Sequence, residues 1–277
     1  MKTMTTPDLS QRTALVTGAA GGLGSAMASA LAECGAHVVL VDLDSAKLEG
    51  VLARLPLETR SRARSFVADI SDPSHAQKTT EFARGLTGRL DILVNNAAIG
   101  PTVLENSPAS RSLRFWESDE ALWRRSVDVN VNGTFLMARF AAQAMIENGW
   151  GRIINISTSL STMQRAATSP YGVTKAAIEA ETQIWSRDLE GTNVTVNTLL
   201  PGGAVDTAFV SAATRVAAQE GKVKLLAPDV MIRPLLYLVS RNADEVTGGR
   251  FVASRWDESD GIERAQLRAR EQAFAGA

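Results

Sequence analysis

Residues 13–24 read Thr13-Ala14-Leu15-Val16-Thr17-Gly18-Ala19-Ala20-Gly21-Gly22-Leu23-Gly24. A short apolar run meets a glycine-rich turn, and a helical pattern continues to Cys34. Glycines at such a turn let the chain reverse sharply and let a diphosphate approach the backbone amides of a helix N-terminus. The spacing over Gly18, Gly22 and Gly24 is G-x-x-x-G-x-G, not the G-x-G-x-x-G of the commonest dinucleotide fingerprint. Its weight comes from context, with a strand before it and a helix after it.

Working outward, Asp42 closes the second strand pattern, 18 residues beyond Gly24. A carboxylate there accepts hydrogen bonds from the adenosine ribose hydroxyls and repels a 2′-phosphate. No Lys or Arg stands inside the glycine turn to hold such a phosphate. The pair predicts NAD in preference to NADP. The plainer alternative for Asp42 is a solvated acid capping the next helix.

The same alternation runs through the rest of the chain. Strand patterns are expected at Ala14–Thr17, His37–Val41, Arg64–Ala68, Ile92–Val94, Arg152–Ile156, Thr195–Leu199 and Arg250–Ala253. Most are near-continuous apolar runs, as expected when helices cover both faces of a sheet. Helical patterns fall at Gly22–Cys34, Ser45–Arg54, Pro73–Leu86, Asp119–Glu147, Pro170–Glu190 and Pro228–Ser240. Gly35 stands where a helix should end, and Pro170 and Pro228 where helices should start. Parallel neighbours need right-handed crossovers, so the chain predicts an α/β fold of the Rossmann type. Its sheet is doubly wound, mostly parallel and of about seven strands, with helices on both faces. No linker composition divides residues 1–277, which read as one domain with a core over about 12–253 and a tail over 254–277. The tail reads as a charged helix, Ile262–Phe274, uninformative about chemistry.

Composition excludes several function classes. A formal net charge of -1 gives no electrostatic footprint for nucleic acid or an anionic membrane. A single cysteine, Cys34, with only His37 and His75 for histidines, argues against a zinc site and against the zinc route to alcohol oxidation. No apolar run approaches the roughly 20 residues of a membrane span. The polar start lacks the apolar segment of a signal peptide, so a cytoplasmic location is expected.

Tyr171 and Lys175 lie four apart at the start of a helical pattern, so their side chains share a face. A phenol with a pKa near 10 is too weak a base for neutral pH unless a neighbouring cation favours the phenolate. Lys175 is such a cation, and the pairing points to proton transfer at a substrate oxygen. The plainer alternative is a surface helix pair, but the chain has only two tyrosines, so chance makes such a pair rare.

With these residues assembled, the chain resembles the short-chain dehydrogenase/reductase family, in its single-domain branch, over about Arg12 to Ala253. The T-G-x-x-x-G-x-G turn falls on Thr17, Gly18, Gly22, Leu23 and Gly24. The family's acid after the third strand falls on Asp69, which with the backbone of Ile70 is implied to contact adenine. Its N-N-A-G motif appears as Asn95-Asn96-Ala97-Ala98, with Ala98 in place of the last glycine. Its P-G motif is Pro201-Gly202, and the threonine at the nicotinamide carboxamide falls on Thr207, one residue late.

The resemblance implies a tetrad of Asn130, Thr158, Tyr171 and Lys175. Tyr171 would be base in oxidation and acid in reduction. Lys175 would lower its pKa and hold the nicotinamide ribose, Asn130 would support a water relay, and Thr158 would orient the substrate oxygen. The family's serine normally stands thirteen residues before the tyrosine, where this chain has Thr158. A threonine hydroxyl keeps the donor and acceptor but stiffens χ1. A shift at the strand end would present Ser159 or Ser157 instead. A homotetramer is also implied, through the Asp119–Glu147 and Pro170–Glu190 helices.

Two long connections, Gly100–Ser118 and Gly202–Ala227, follow strands and are expected to form the substrate pocket, the second as a lid. Ile99, Trp116, Met163 and Phe209 are its expected apolar lining, which suits a moderately apolar secondary alcohol or ketone. The loops hold no Arg or Lys cluster pointing to a carboxylate or phosphate ester. The rival readings are an NADP(H)-preferring ketone reductase, against which Asp42 argues, and a catalytically idle cofactor-binding regulator.

Overall fold

A computed structural model of the chain describes residues 5–100 and 114–272. Eight strands form one sheet in the order β3-β2-β1-β4-β5-β6-β7-β8. In chain order they are β1 Thr13–Thr17, β2 His37–Asp42, β3 Ala63–Val67, β4 Ile92–Asn95, β5 Gly151–Ile156, β6 Val194–Leu200, β7 Arg250–Val252 and β8 Arg270–Glu271. The first seven run parallel, and β8 pairs antiparallel with β7, Phe251 opposite Arg270. The chain reverses its direction of winding between β3 and β4, so β1 and β4 lie side by side and their carboxyl ends open a crevice.

Period-two burial builds two cores from one sheet. Ala14, Val16, Val38, Leu40, Ile92 and Val94 face one side, against Met27 and Leu31 of α1 (Gly22–Glu33) and Leu48 of α2 (Ser45–Arg54). Leu15, Val39, Val41, Leu93 and Ile153 face the other. There they meet Ala76 and Ala83 of the Pro73–Thr87 helix and the Met137, Ala141 and Met145 stripe of the Thr134–Glu147 helix. Each helix turns one apolar stripe to the sheet, and the buried strands are apolar on both faces.

The fold differs from expectation in three places. The single helix expected over Asp119–Glu147 is an α-helix, Glu120–Val127, a π-helical turn, Asp128–Gly133, and a second α-helix, Thr134–Glu147. Gly202–Ala227 is not an open loop. The base of this segment is closed by pairing of Val205 with Leu226, and it carries a helix, Ala212–Gln219, capped by Ser211. The tail helix stops at Ala269, where the chain turns into β8. The open edge of β7 takes the pairing, and Glu271 meets the buried Arg250, a partner invisible along the sequence. The first long connection lies mostly outside the described residues.

Candidate active site

The glycine turn is a cradle that side chains would fill. Gly18 sits at φ +64°, and a Cβ there would lie 2.8 Å from both the Ala97 Cα and the Asn96 amide nitrogen. A Cβ on Gly24 would lie 2.2 Å from the Gly18 carbonyl, and one on Gly22 2.5 Å from the Thr207 methyl. Asn96 locks the turn from β4, its amide donating to the carbonyls of Thr17 and Gly18, both at 3.0 Å. The Thr17 hydroxyl accepts from the backbone amides of Asn96 (3.0 Å) and Ala97 (3.1 Å). No side chain caps the helix that begins at Gly22. Bare amides, no Cβ and a helix N-terminus together fit a diphosphate.

Asp42 reaches back to this turn. Its carboxylate accepts from the backbone amides of Ala20 at 3.1 Å and Leu43 at 2.8 Å. It does not cap the following helix; Asp44 does that, accepting from the amide of Lys47. Asp69 is engaged more heavily. Ser71 donates to it twice and the Arg125 guanidinium once, at 2.8 Å. Burial alone would raise this carboxyl, but those hydrogen bonds outweigh it and hold the pKa below the ordinary aspartate value. Ile70 is buried against Gly133, the last residue of the π turn.

Across the crevice, the helix Tyr171–Asp188 starts after Pro170 and presents both Tyr171 and Lys175 to the buried side. Burial pushes the Tyr171 phenol up to about 12, opposed by a hydrogen bond with Thr158. Lys175 lies close by without outweighing that burial. Its ammonium donates to the Ile156 carbonyl at 2.7 Å and stands 5.9 Å from the Tyr171 ring centre, so desolvation prevails. The same burial pulls Lys175 down to about 8, with Glu179 pulling the other way.

The three hydroxyls at the end of β5 have different partners. Ser157 is buried and donates to Glu179 at 2.8 Å. Ser159 caps the short helix Leu160–Met163, accepting from the Thr162 amide. Thr158, half-buried, is the one that meets Tyr171. Asn130, fully buried in the π turn, accepts from the Ile99 amide at 2.7 Å and donates to the Ile99 carbonyl and the Thr174 hydroxyl, both at 3.0 Å. The wider π turn aims this amide inward, a common use of such irregularities at functional sites.

The segment after β6 closes over these groups. It leaves the sheet through Pro201 and Gly202, the latter at φ +83°. Phe209 packs against Tyr171, ring centres 5.8 Å apart, and onto the bare Cα of Gly100. Beside it lies a cleft of about 220 Å³ lined by Trp116, Met163, Arg114 and Arg165, among others. Trp116 and Met163 were expected there; Ile99 and Phe209 stand outside it. The two guanidiniums come from different segments, Arg114 from the first long connection and Arg165 from the stretch before Pro170. Arg114 and Arg165 are far apart in sequence, and only the fold brings them together.

Sequence reasoning missed Glu179, Arg250 and Arg125. Glu179 carried a signal, since it lies one turn beyond Lys175 and therefore shares its face. Arg250 sits inside an apolar strand, and its partners come from three distant segments.

The described residues hold no cluster of three metal-ligating side chains, and none of their helices is long and apolar enough to cross a membrane. The sequence profile of the family described as short chain dehydrogenase matches residues 12–217. Among characterised relatives, a D-threitol dehydrogenase from Mycolicibacterium smegmatis is 34% identical over 194 residues, 70% of each chain. An NAD-dependent glycerol dehydrogenase from Listeria innocua is 29% identical over 88% of this chain and 93% of its own. A crystal structure of a short-chain dehydrogenase/reductase described as a glucose/ribitol dehydrogenase, from Brucella melitensis, superposes with a TM-score of 0.77 at 28% identity. That match covers 89% of this chain and 96% of the other.

Proposed function

The chain belongs to the short-chain dehydrogenase family, an oxidoreductase family, and on that footing we propose that it moves a hydride between NAD(H) and a secondary alcohol or ketone. The observation that carries this reading is the shared buried face of Tyr171 and Lys175, with Lys175 donating to the Ile156 carbonyl two residues before Thr158, Thr158 hydrogen-bonded to Tyr171, and the bare Gly18–Gly24 cradle at the carboxyl end of β1. Nicotinamide, when bound, supplies or accepts the hydride. The amides of Gly22, Leu23 and Gly24 receive the diphosphate, and Asp42 the ribose hydroxyls. Asp69, Ile70, Asn96 and Ala97 shape the adenine side and the floor. Pro201 and Thr207 border the nicotinamide end, and Thr207 already lies on Gly22.

Thr158 holds the substrate oxygen, and Tyr171 takes its proton in oxidation and returns it in reduction. A phenol buried to a pKa of about 12 cannot do this at neutral pH unaided. Lys175 supplies the cation that favours the phenolate, joined by the positive charge of the oxidised cofactor. Asn130 fixes the segment at Ile99 and supports proton exchange between Lys175 and solvent. A homotetramer is part of the same reading, supported by exposed Phe135, Val173 and Ile184 on the two long helices.

The names of the threitol and glycerol relatives make polyols the first substrates to test. Purified protein is mixed with NAD or NADP and a panel of secondary alcohols and polyols, and absorbance of the reduced cofactor is followed. Tyr171→Phe should bind NADH normally and lose roughly 10²–10⁴ of turnover. Full activity in that variant on a confirmed substrate refutes the mechanism; binding without turnover by the wild type would mean an idle cofactor-binding protein.

One observation favours a narrower substrate class. Arg114 and Arg165 line the cleft beside Trp116 and Met163, a setting for a substrate with an acidic group at its far end. A hydroxy acid turned over no faster than its neutral analogue would remove that refinement.

A further inference from the structure

Three consecutive residues at the end of β5 are each held by a different charged side chain. Lys175 donates to the Ile156 carbonyl at 2.7 Å, Glu179 accepts from the Ser157 hydroxyl at 2.8 Å, and Arg250 donates to the Thr158 carbonyl at 2.9 Å. Arg250 is the hub. Its Nε donates to both oxygens of Glu179, at 2.9 and 3.0 Å, its Nη2 reaches Thr158, and its Nη1 pairs with Glu271 of β8. Arg250 is 1% exposed and Glu179 2%. Glu271 is partly exposed and also pairs with Arg255 at 3.0 Å.

An arginine buried this completely inside a sheet is costly unless every direction of its fork is used. Packing alone would be served as well by an apolar side chain of similar volume. What the charged hub adds is geometry, because its planar fork reads three partners at once. One of those partners is the backbone of the residue whose hydroxyl meets Tyr171.

We infer that Arg250 is a positioning residue for Thr158, and that Glu271 of β8 holds Arg250 in place, so that the last described strand is part of the active-site architecture. The inference rests on the reading that Thr158 holds the substrate oxygen. It goes beyond that reading in assigning a role to two residues, Arg250 and Glu271, outside the tetrad.

Arg250→Lys keeps the charge beside Glu179 but cannot span Thr158 and Glu271 as well. Glu271→Gln removes the outer charge from a partly exposed site and leaves the inner pair intact. In both variants kcat should fall roughly 10–100-fold, the scale of an ångström-level misplacement, with KM and NADH affinity little changed. Should Arg250→Lys fail to fold, Glu271→Gln carries the test alone.

The decisive measurement is a double-mutant cycle with Thr158→Val on the full chain. If Arg250 acts through the Thr158 hydroxyl, adding Arg250→Lys or Glu271→Gln to Thr158→Val costs little further activity. A general structural defect would instead multiply the two losses, and multiplicative losses overturn the inference. So does wild-type kcat in Arg250→Lys and Glu271→Gln. Tyr171→Phe, assayed beside them, separates the two levels. A dead Tyr171→Phe with fully active Arg250→Lys and Glu271→Gln refutes the positioning role and leaves the hydride-transfer reading standing. An active Tyr171→Phe refutes both.

Discussion

Lys175→Met removes a cation from a site that is 3% exposed while keeping most of the side chain's length. Burial, the larger influence, drags the ammonium from 10.5 down to about 8, and Glu179 pulls it partly back. That gap corresponds to roughly 3 kcal/mol by which the charged form weakens the fold. A cation whose pKa is depressed on folding binds fewer protons in the folded chain than in the unfolded one between about 8 and 10.5. Stability therefore rises with pH across that window, and the whole penalty is felt below it. Against this, methionine gives up the hydrogen bond to the Ile156 carbonyl, roughly 1–3 kcal/mol. The balance leaves Lys175→Met as stable as wild type near neutral pH, or more stable by up to roughly 2 kcal/mol, although the reaction is lost. Urea unfolding at about pH 7 and about pH 10 should show wild type gaining roughly 2–3 kcal/mol relative to the variant. A difference that stays flat between the two pH values would refute the burial argument.

Two further outcomes follow from the cofactor side. Asp42→Ala should narrow or invert the preference for NAD over NADP, read as the ratio of kcat/KM for the two cofactors; an unchanged ratio sinks the ribose assignment. Gly18→Ala places a side chain at φ +64° and 2.8 Å from the Ala97 backbone and the Asn96 amide. Strain and the disturbed Asn96 hydrogen bonds should together cost roughly 2–4 kcal/mol, lowering Tm by roughly 5–15 °C and weakening NADH binding. Thermal melts followed by circular dichroism check this, and an unshifted Tm would mean that the turn adapts.

The parts of the fold that were readable in the sequence are those set by local rules. The apolar runs matched seven strands to within a residue or so at each end, because short, near-continuous apolar runs bounded by breakers are properties of neighbouring residues. The glycine turn and the Tyr-x-x-x-Lys pair were legible for the same reason. What escaped depends on distant segments meeting. The Arg250 hub needs β5, β7, β8 and the Tyr171–Asp188 helix at once. The raised phenol of Tyr171 depends on how deeply the fold buries it, which four-residue spacing does not encode. The π turn was hidden because Asp128–Gly133 continues a helical pattern without a break residue before Gly133. Asp42 was readable as to type but not as to partners, since its choice of the glycine turn over the next helix depends on Asp44 taking the cap.

That π turn also acts as a phase adjuster. An α-helix advances about 100° per residue, and a π turn takes up one extra residue without lengthening the path in proportion. Upstream and downstream stretches can then serve different directions. Asn130 faces Ile99 and Thr174, while Met137, Ala141 and Met145 face the sheet. Deleting one residue within 128–133 would remove the extra residue and let the segment close into regular α geometry, with the Met137 stripe still in phase with Leu93 and Ile153. What would be lost is the widened turn that aims Asn130 at Ile99 and Thr174, so the irregularity serves the position of that amide rather than the packing of the helix beyond it.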